Sequence, residues 1–476
     1  MSSPPQADPA REAPAWLRRA TSPLAAALVL AGFWLLLVAT AWNQSVTYDE
    51  TVHAAAGYSY WKYDDYRLNP ENGNLPQRIA ALPLLSYDFP APDSPAWRLP
   101  EEWTVGDLWF NRMGHDVAGM LHRGRAVAAL QAVALAALVW GCARRLFGET
   151  GGMVALLLCV LNPTILANGS LMTSDSAAAL FFLAATWAWW NLLHGLTPGR
   201  LLASALATAG LFVAKSSAIL IVPIALVLVL ARLIDGRPLV FRFGAPRELT
   251  GRKRQLAAFA AAAAVQALVV YVTIWGCYGF RYAMFAPGQP SVQGSTPLWS
   301  DILGRKSLPE MVTALGLPEP VLQRAQKVLN DRNAPLFGWD EISDGALQEL
   351  KARVLDPTQT RQLDALIAAG GPQTAMERTI VFLRKHELFP EAYVFGSLHA
   401  WRFAQMRSAF FNGEFSSFGA ASFFPYTFAV KTPLAMFGVL ALAAAAAIAG
   451  WRRPRSEEHT SELQSLAYLV CRLLLE

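Results

Sequence analysis

LLASALATAGLFVAKSSAILIVPIALVLVL, Leu201 to Leu230, is an apolar run interrupted in its middle by Lys215-Ser216-Ser217. A bilayer is crossed by about 20 apolar residues, so this run is too long for one span. Read as a single helix, it sends the basic segment from Arg232 to Arg254 to the outer face, against the preference of Lys and Arg for cytoplasmic loops. Read as two short helices, it keeps Arg144-Arg145 and the Arg232–Arg254 loop on the cytoplasmic side and turns at Lys215 on the outer surface. Two helices is the consistent choice.

Working outward, further spans are expected at about 21–42, 126–142, 152–168, 174–193, 255–278 and 427–449, with the split run giving 200–214 and 216–234. The first follows Arg18 and Arg19 and precedes Ala-Trp-Asn-Gln, which is not a small-residue cleavage site, so it reads as a retained anchor with its N-terminus in the cytoplasm. The composition agrees. Of 476 residues, 54% are hydrophobic and only 16% charged, against about 25% charged in soluble domains. This excludes a disordered chain, a coiled coil and an ordinary cytosolic enzyme. The expected fold class is an all-α polytopic membrane protein with about eight transmembrane helices and two long extracytoplasmic loops.

The net charge of +5 is the excess that sets membrane orientation, and it carries no nucleic-acid reading. Cys142, Cys159, Cys277 and Cys471 have neither disulfide nor metal spacing. The expected organisation is a cytoplasmic tail over 1–20 and a transmembrane core over 21–278, which includes a first outer loop at 43–123. An extracytoplasmic loop follows at 279–426, then a last helix and basic flank at 427–454. Val321–Asn330 and Gly345–Val354, amphipathic and mixed in charge, read as soluble helices capping the membrane domain. From Arg455 the composition shifts abruptly, and 455–476 reads like the translation of a sequencing adapter, so the natural chain is expected to continue beyond Pro454.

Ionisable groups beside membrane spans are costly and therefore informative. Tyr48-Asp49-Glu50-Thr51-Val52-His53 follows the first span, and Asp65-Tyr66-Arg67-Leu68-Asn69-Pro70-Glu71 follows it in the same loop. Asp175 stands at the outer end of the fourth span, Lys215 at the outer turn, and Lys431 at the entrance of the last span. Taken singly, each has an ordinary explanation in helix capping, turns or snorkelling. Collected on one face, three carboxylates and two lysines from separate segments read as a site.

Tyr48-Asp49-Glu50-x-x-His53, the string from Asp65 to Glu71, and Phe424-Pro425 through Lys431-Thr432-Pro433 resemble bacterial membrane glycosyltransferases. These are relatives of protein O-mannosyltransferases (glycosyltransferase family 39) and lipid A aminoarabinose transferases, with the C-type glycosyltransferase fold. The resemblance covers roughly 20–235 and 385–450; it departs at Asn72-Gly73-Asn74, where relatives carry His-Pro-Pro, and at about 288–384. It implies transfer of a hexosyl or pentosyl group from a polyprenyl-phosphate donor to a hydroxyl acceptor, protein, lipid or glycan. The implied location is the extracytoplasmic face of the bacterial inner membrane. A polyprenyl phosphate leaves as a stable anion, so one carboxylate base with cations on the phosphate suffices, and direct attack inverts the anomeric carbon.

On this resemblance Asp49 is the base, Glu50 and Glu71 orient the base or acceptor, and Asp175 is the acid of the second outer loop. Lys215 and Lys431, and less strongly Arg402 and Arg407, are candidates for the donor phosphate, with His53 and Tyr48 touching acceptor or donor. A divalent metal is allowed by the resemblance, but no ligand spacing demands one. The alternative is a transporter or flippase of lipid-linked sugars, which would carry buried mid-span charges and discontinuous helices in matched halves.

Overall fold

The computed structural model describes residues 14–90, 94–290, 299, 302–304, 306–332, 334, 342–371, 374–405, 409–416, 420 and 422–451. The main helices are α1 (Pro23–Ala41), α2 (Tyr48–Lys62), α3 (Glu102–Asp107), α4 (Val117–Val160), α5 (Asp175–Leu193) and α6 (Pro198–Ala214). After these come α7 (Ile221–Asp235), α8 (Arg252–Cys277), α9 (Glu391–Gln405), α10 (Phe423–Lys431) and α11 (Leu434–Trp451). Two short antiparallel hairpins, Leu239–Phe241 with Arg247–Leu249 and Ala409–Phe411 with Glu414–Ser416, are the strands among the described residues.

Among the described residues five helices are long and apolar enough to cross a membrane, or six if the bent pair α10 and α11 forms one span. The expected eight differ from this in how segments are divided. The runs expected at 126–142 and 152–168 fall mostly within the single 44-residue element α4, broken at Gly148. Gly148, at φ 77° and ψ −174°, occupies a conformation essentially reserved for glycine, and the chain reverses there. Leu156 and Val160 of the returning arm share one core with Ala132 and Ala136 of the first arm and Phe33 and Leu37 of α1. The hairpin is thus two antiparallel helices side by side. The segment α6 is apolar but only 17 residues long.

The Leu201–Leu230 run divides as the charge argument requires. α6 ends at Ala214, Lys215 is extended at φ −160° and ψ 147°, and Ser216–Leu220 forms a tight turn into α7. Within the apolar bundle α6 and α8 are joined by polar contacts: Gln266 Nε2 donates to Ser204 Oγ at 3.0 Å, and Thr208 Oγ1 donates to Gln266 Oε1 at 3.4 Å. With no water to compete, such pairs fix helix register in a bilayer.

The last expected span, 427–449, is not one helix. Thr432 has ψ 126°, outside the helical region, and α10 meets α11 at 103°. Pro433 supplies the reason, since its ring disfavours helical backbone at the residue before it and it has no N–H to donate.

The first outer loop is a folded layer. Tyr58, Phe89, Trp97 and Trp109 pack with ring centroids 4.5 Å apart for Tyr58–Phe89 and 5.0 Å for Phe89–Trp109. Arg67 and Asp65, both buried, form a bidentate pair with two 2.7 Å contacts, and the guanidinium lies over Trp97 at 4.5 Å and Phe285 at 4.7 Å. Asp65 also accepts from the Ala286 N–H at 2.8 Å, which ties the two outer loops together. The helices expected near 321–330 and 345–354 are Glu319–Asp331 and Asp344–Arg353. With Leu308–Ala314 and Pro357–Ala368 they enclose a core of their own around Met311, Leu329, Leu350 and Leu363.

Candidate active site

Asp49 and Glu50 are neighbours in sequence with opposite surroundings. Thr47 caps α2, and its N–H donates to Glu50 Oε2 at 2.9 Å in a capping box. Glu50 is fully buried and grips Arg125 of α4 in a fork, Nε to Oε1 at 2.9 Å and Nη2 to Oε2 at 2.7 Å. The Met172 N–H donates to Oε1 at 3.2 Å, and Arg125 also donates to the carbonyls of Ala41, Gln44 and Ser45. Burial opposes ionisation of Glu50, yet the bonds from Arg125, Thr47 and Met172 prevail and hold its pKa below the usual value. Both Glu50 oxygens are occupied in locking α2, α4 and the segment before α5. Asp49 is exposed.

One helical turn on, His53 is 4% exposed, and burial keeps its imidazole neutral, with the pKa lowered to about 4. It lies in the field of Asp175, Lys215 and Glu50, and its Nδ1 has no hydrogen-bond partner among the described residues. Asp175 opens α5 and forms an ion pair with Lys215. Lys215 in turn pairs through its backbone with Asn72 of the first outer loop.

Glu71 stands in a tightly held loop. Asn69, at φ 49°, donates from Nδ2 to Glu71 Oε1 at 2.7 Å, and its own Oδ1 accepts from Asn72 at 2.9 Å and Gln77 at 2.5 Å. Two glycines let other elements close on this loop. A Cβ on Gly73 would lie 1.8 Å from the Ala214 carbonyl oxygen, and one on Gly396 of α9 would lie 1.9 Å from that of Pro70. A narrow cleft of about 20 Å³ is lined by Glu71, Asn72, Lys215, Tyr278, Tyr393 and Ser397, among others.

Burial raises the Glu71 pKa well above the carboxylate range, and the neighbouring Glu102 raises it further. Glu102 itself is pushed by burial up to about 7, with Asp49 adding in the same direction. Two carboxyls in hydrogen-bond contact cannot both stay ionised, so this pair holds a proton near neutrality. Glu102, the first residue of α3, was not foreseen from the sequence. Asp49 thus acts on the charge of Glu102, Glu102 touches Glu71, Glu71 and Lys215 line one cleft, and Lys215 pairs with Asp175, with His53 in the field of the last two.

Arg402 is buried in α9 and directed to the carboxylate of Glu310, at 3.1 and 3.3 Å, and to the Ile302 carbonyl. Its guanidinium charge is paired there. Lys431 is exposed at the end of α10 and makes no hydrogen bond or ion pair with this cluster among the described residues. Tyr48 is exposed and stacks on Trp103. Arg407 and 455–476 lie outside the described residues. Among the described residues no group of three or more His, Cys, Asp or Glu side chains is placed to hold a metal ion.

The sequence model of the dolichyl-phosphate-mannose-protein mannosyltransferase family matches residues 106–242. Over that stretch the chain is similar to protein O-mannosyltransferases. The described residues have the all-α, multi-pass architecture of a membrane protein, and the match supports a membrane glycosyltransferase of the mannosyltransferase type. The matched stretch contains Arg125, Asp175 and Lys215, while Asp49, Glu71 and Glu102 precede it. No curated protein and no solved structure gives a significant match to the chain.

Proposed function

We propose that this mannosyltransferase relative moves a sugar from a polyprenyl-phosphate donor to a hydroxyl acceptor on the extracytoplasmic face of a bacterial inner membrane. The observation that carries the proposal is the assembly of Asp49, Glu71, Asp175 and Lys215, from four separate segments, at one end of the helical bundle. Asp49, exposed and, unlike the exposed Asp175, in no ion pair among the described residues, takes the acceptor proton as the hydroxyl oxygen attacks the anomeric carbon. The bond from that carbon to the phosphate oxygen breaks, and its electron pair leaves with the polyprenyl phosphate. No acid is needed because this leaving group is a stable anion.

Lys215 meets the phosphate charge. A lysine ammonium has three N–H donors, so it reaches a phosphate while still bonded to Asp175. Asp175 holds Lys215 in place, and Glu50 with Arg125 holds the turn of α2 that carries Asp49. A flippase would show discontinuous helices in matched halves; among the described residues α10–α11 is the one sharply bent helix pair long and apolar enough to cross a membrane.

The test is transfer by purified full-length protein offered a panel of polyprenyl-phosphate sugars, with the product's anomeric configuration read by NMR. Inverted product is expected. Retention of configuration, or donor translocation without transfer, would contradict the proposal.

A further inference from the structure

Tyr48 and Trp103 stack face to face with centroids 3.9 Å apart and ring planes 20° apart, although 55 residues separate them in the chain. Tyr48 is 73% and Trp103 39% exposed, so the stack presents an open ring face. Its position is fixed by two helix starts running side by side. One turn further along, Gly106 of α3 lies against Thr51 of α2, where a Cβ would sit 3.1 Å from the Thr51 backbone carbon and oxygen. Each ring belongs to the residue beside a carboxylate of the site: Tyr48 next to Asp49, Trp103 next to Glu102.

An interfacial anchor would also expose aromatic rings. This stack, however, sits beside Asp49, exposed Glu101 and Glu102, and carboxylates are costly in the lipid interior. An aromatic face carries negative potential and attracts the C–H groups on one side of a pyranose, while neighbouring carboxylates accept its hydroxyls. We infer that the Tyr48–Trp103 stack is a pyranose-binding platform at the mouth of the site. This deepens the proposed function and rests on it. The ring comes from the transferred sugar of the donor or from a glycan acceptor, and the same carboxylates serve either.

W103L keeps apolar bulk without a π face, and W103F restores a ring. In wild-type protein held in lipid nanodiscs, saturation-transfer NMR with methyl α-D-mannopyranoside should show saturation on one face of the sugar. The signal should be lost in W103L and recovered in W103F. In transfer assays W103L should raise one KM about tenfold or more, with W103F close to wild type. A rise for the polyprenyl-phosphate donor assigns the ring to the donor; a rise for a pyranoside acceptor assigns it to the acceptor.

Equal saturation in wild type and W103L, or none in wild type, would overturn the platform even if transfer occurs. Unchanged KM values for both substrates in W103L would do the same. Absence of transfer by the wild type, with one-sided saturation intact, would instead refute the proposed reaction.

Discussion

Glu50 is spent on structure, and this makes its loss different in kind from the loss of Asp49. Removing one partner of a buried, hydrogen-bonded ion pair costs about 3–5 kcal/mol because the other charge is stranded. Arg125→Met should therefore lower the thermal midpoint in detergent sharply, whereas Asp49→Asn, at an exposed position, should leave it nearly unchanged. Equal midpoints for R125M and wild type would remove the lock. Glu102 gives a further residue-level expectation. Its folded pKa of about 7 lies above the ordinary 4.5, so the folded state binds more protons across that window, and stability falls as pH rises through it. Glu102→Gln removes that penalty. The midpoint of E102Q relative to wild type should increase from pH 4.5 to about 7 and then level off. A difference independent of pH would mean that Glu102 ionises normally. Asp49, Asp175 and Lys215 were legible because each stands at a helix end. Glu102 and Arg125 were not: Glu102 sits in a Pro- and Glu-rich stretch with the composition of a solvated loop, and Arg125 has the sequence setting of a basic flank beside a span.

At the scale of elements, the Glu71 loop is positioned by contact between backbones rather than by side chains. Gly396→Ala places a methyl group where α9 already touches the Pro70 carbonyl, and the loop or the helix must move. Overpacking of this kind typically costs about 1–3 kcal/mol. G396A should lower both stability and turnover, while Gly438→Ala, with open space around it, should change neither. Turnover of G396A equal to wild type would show that the clamp on Glu71 does not matter. Helix boundaries followed from hydropathy and charge, as at Lys215, where snorkelling and turning compete and the basic loop decides. The bend at Pro433 was visible in Thr432-Pro433 but was outweighed by the apolar run on either side.

At the scale of the whole molecule, Lys215 and the carboxylates gather at one end of the bundle, and Arg252 starts α8 from the other end of α7. In a cysteine-free background, an impermeant thiol reagent applied to intact cells should label S216C and leave R252C unlabelled until the membrane is permeabilised. The reverse pattern would invert the topology and place the chemistry in the cytoplasm. The helices from Leu308 to Ala368 were recognisable as amphipathic, but their separate core depends on contacts between distant segments that no local pattern specifies. The central claim is that Asp49 accepts the proton of the attacking hydroxyl in this assembled site. The direct measurement is single-turnover transfer from a polyprenyl-phosphate sugar by wild type and D49N, with donor binding measured on the same preparations. The amide is nearly isosteric but cannot take the proton, so the rate should fall about 10²–10⁴-fold with donor affinity retained. Transfer by D49N at close to the wild-type rate would contradict the account.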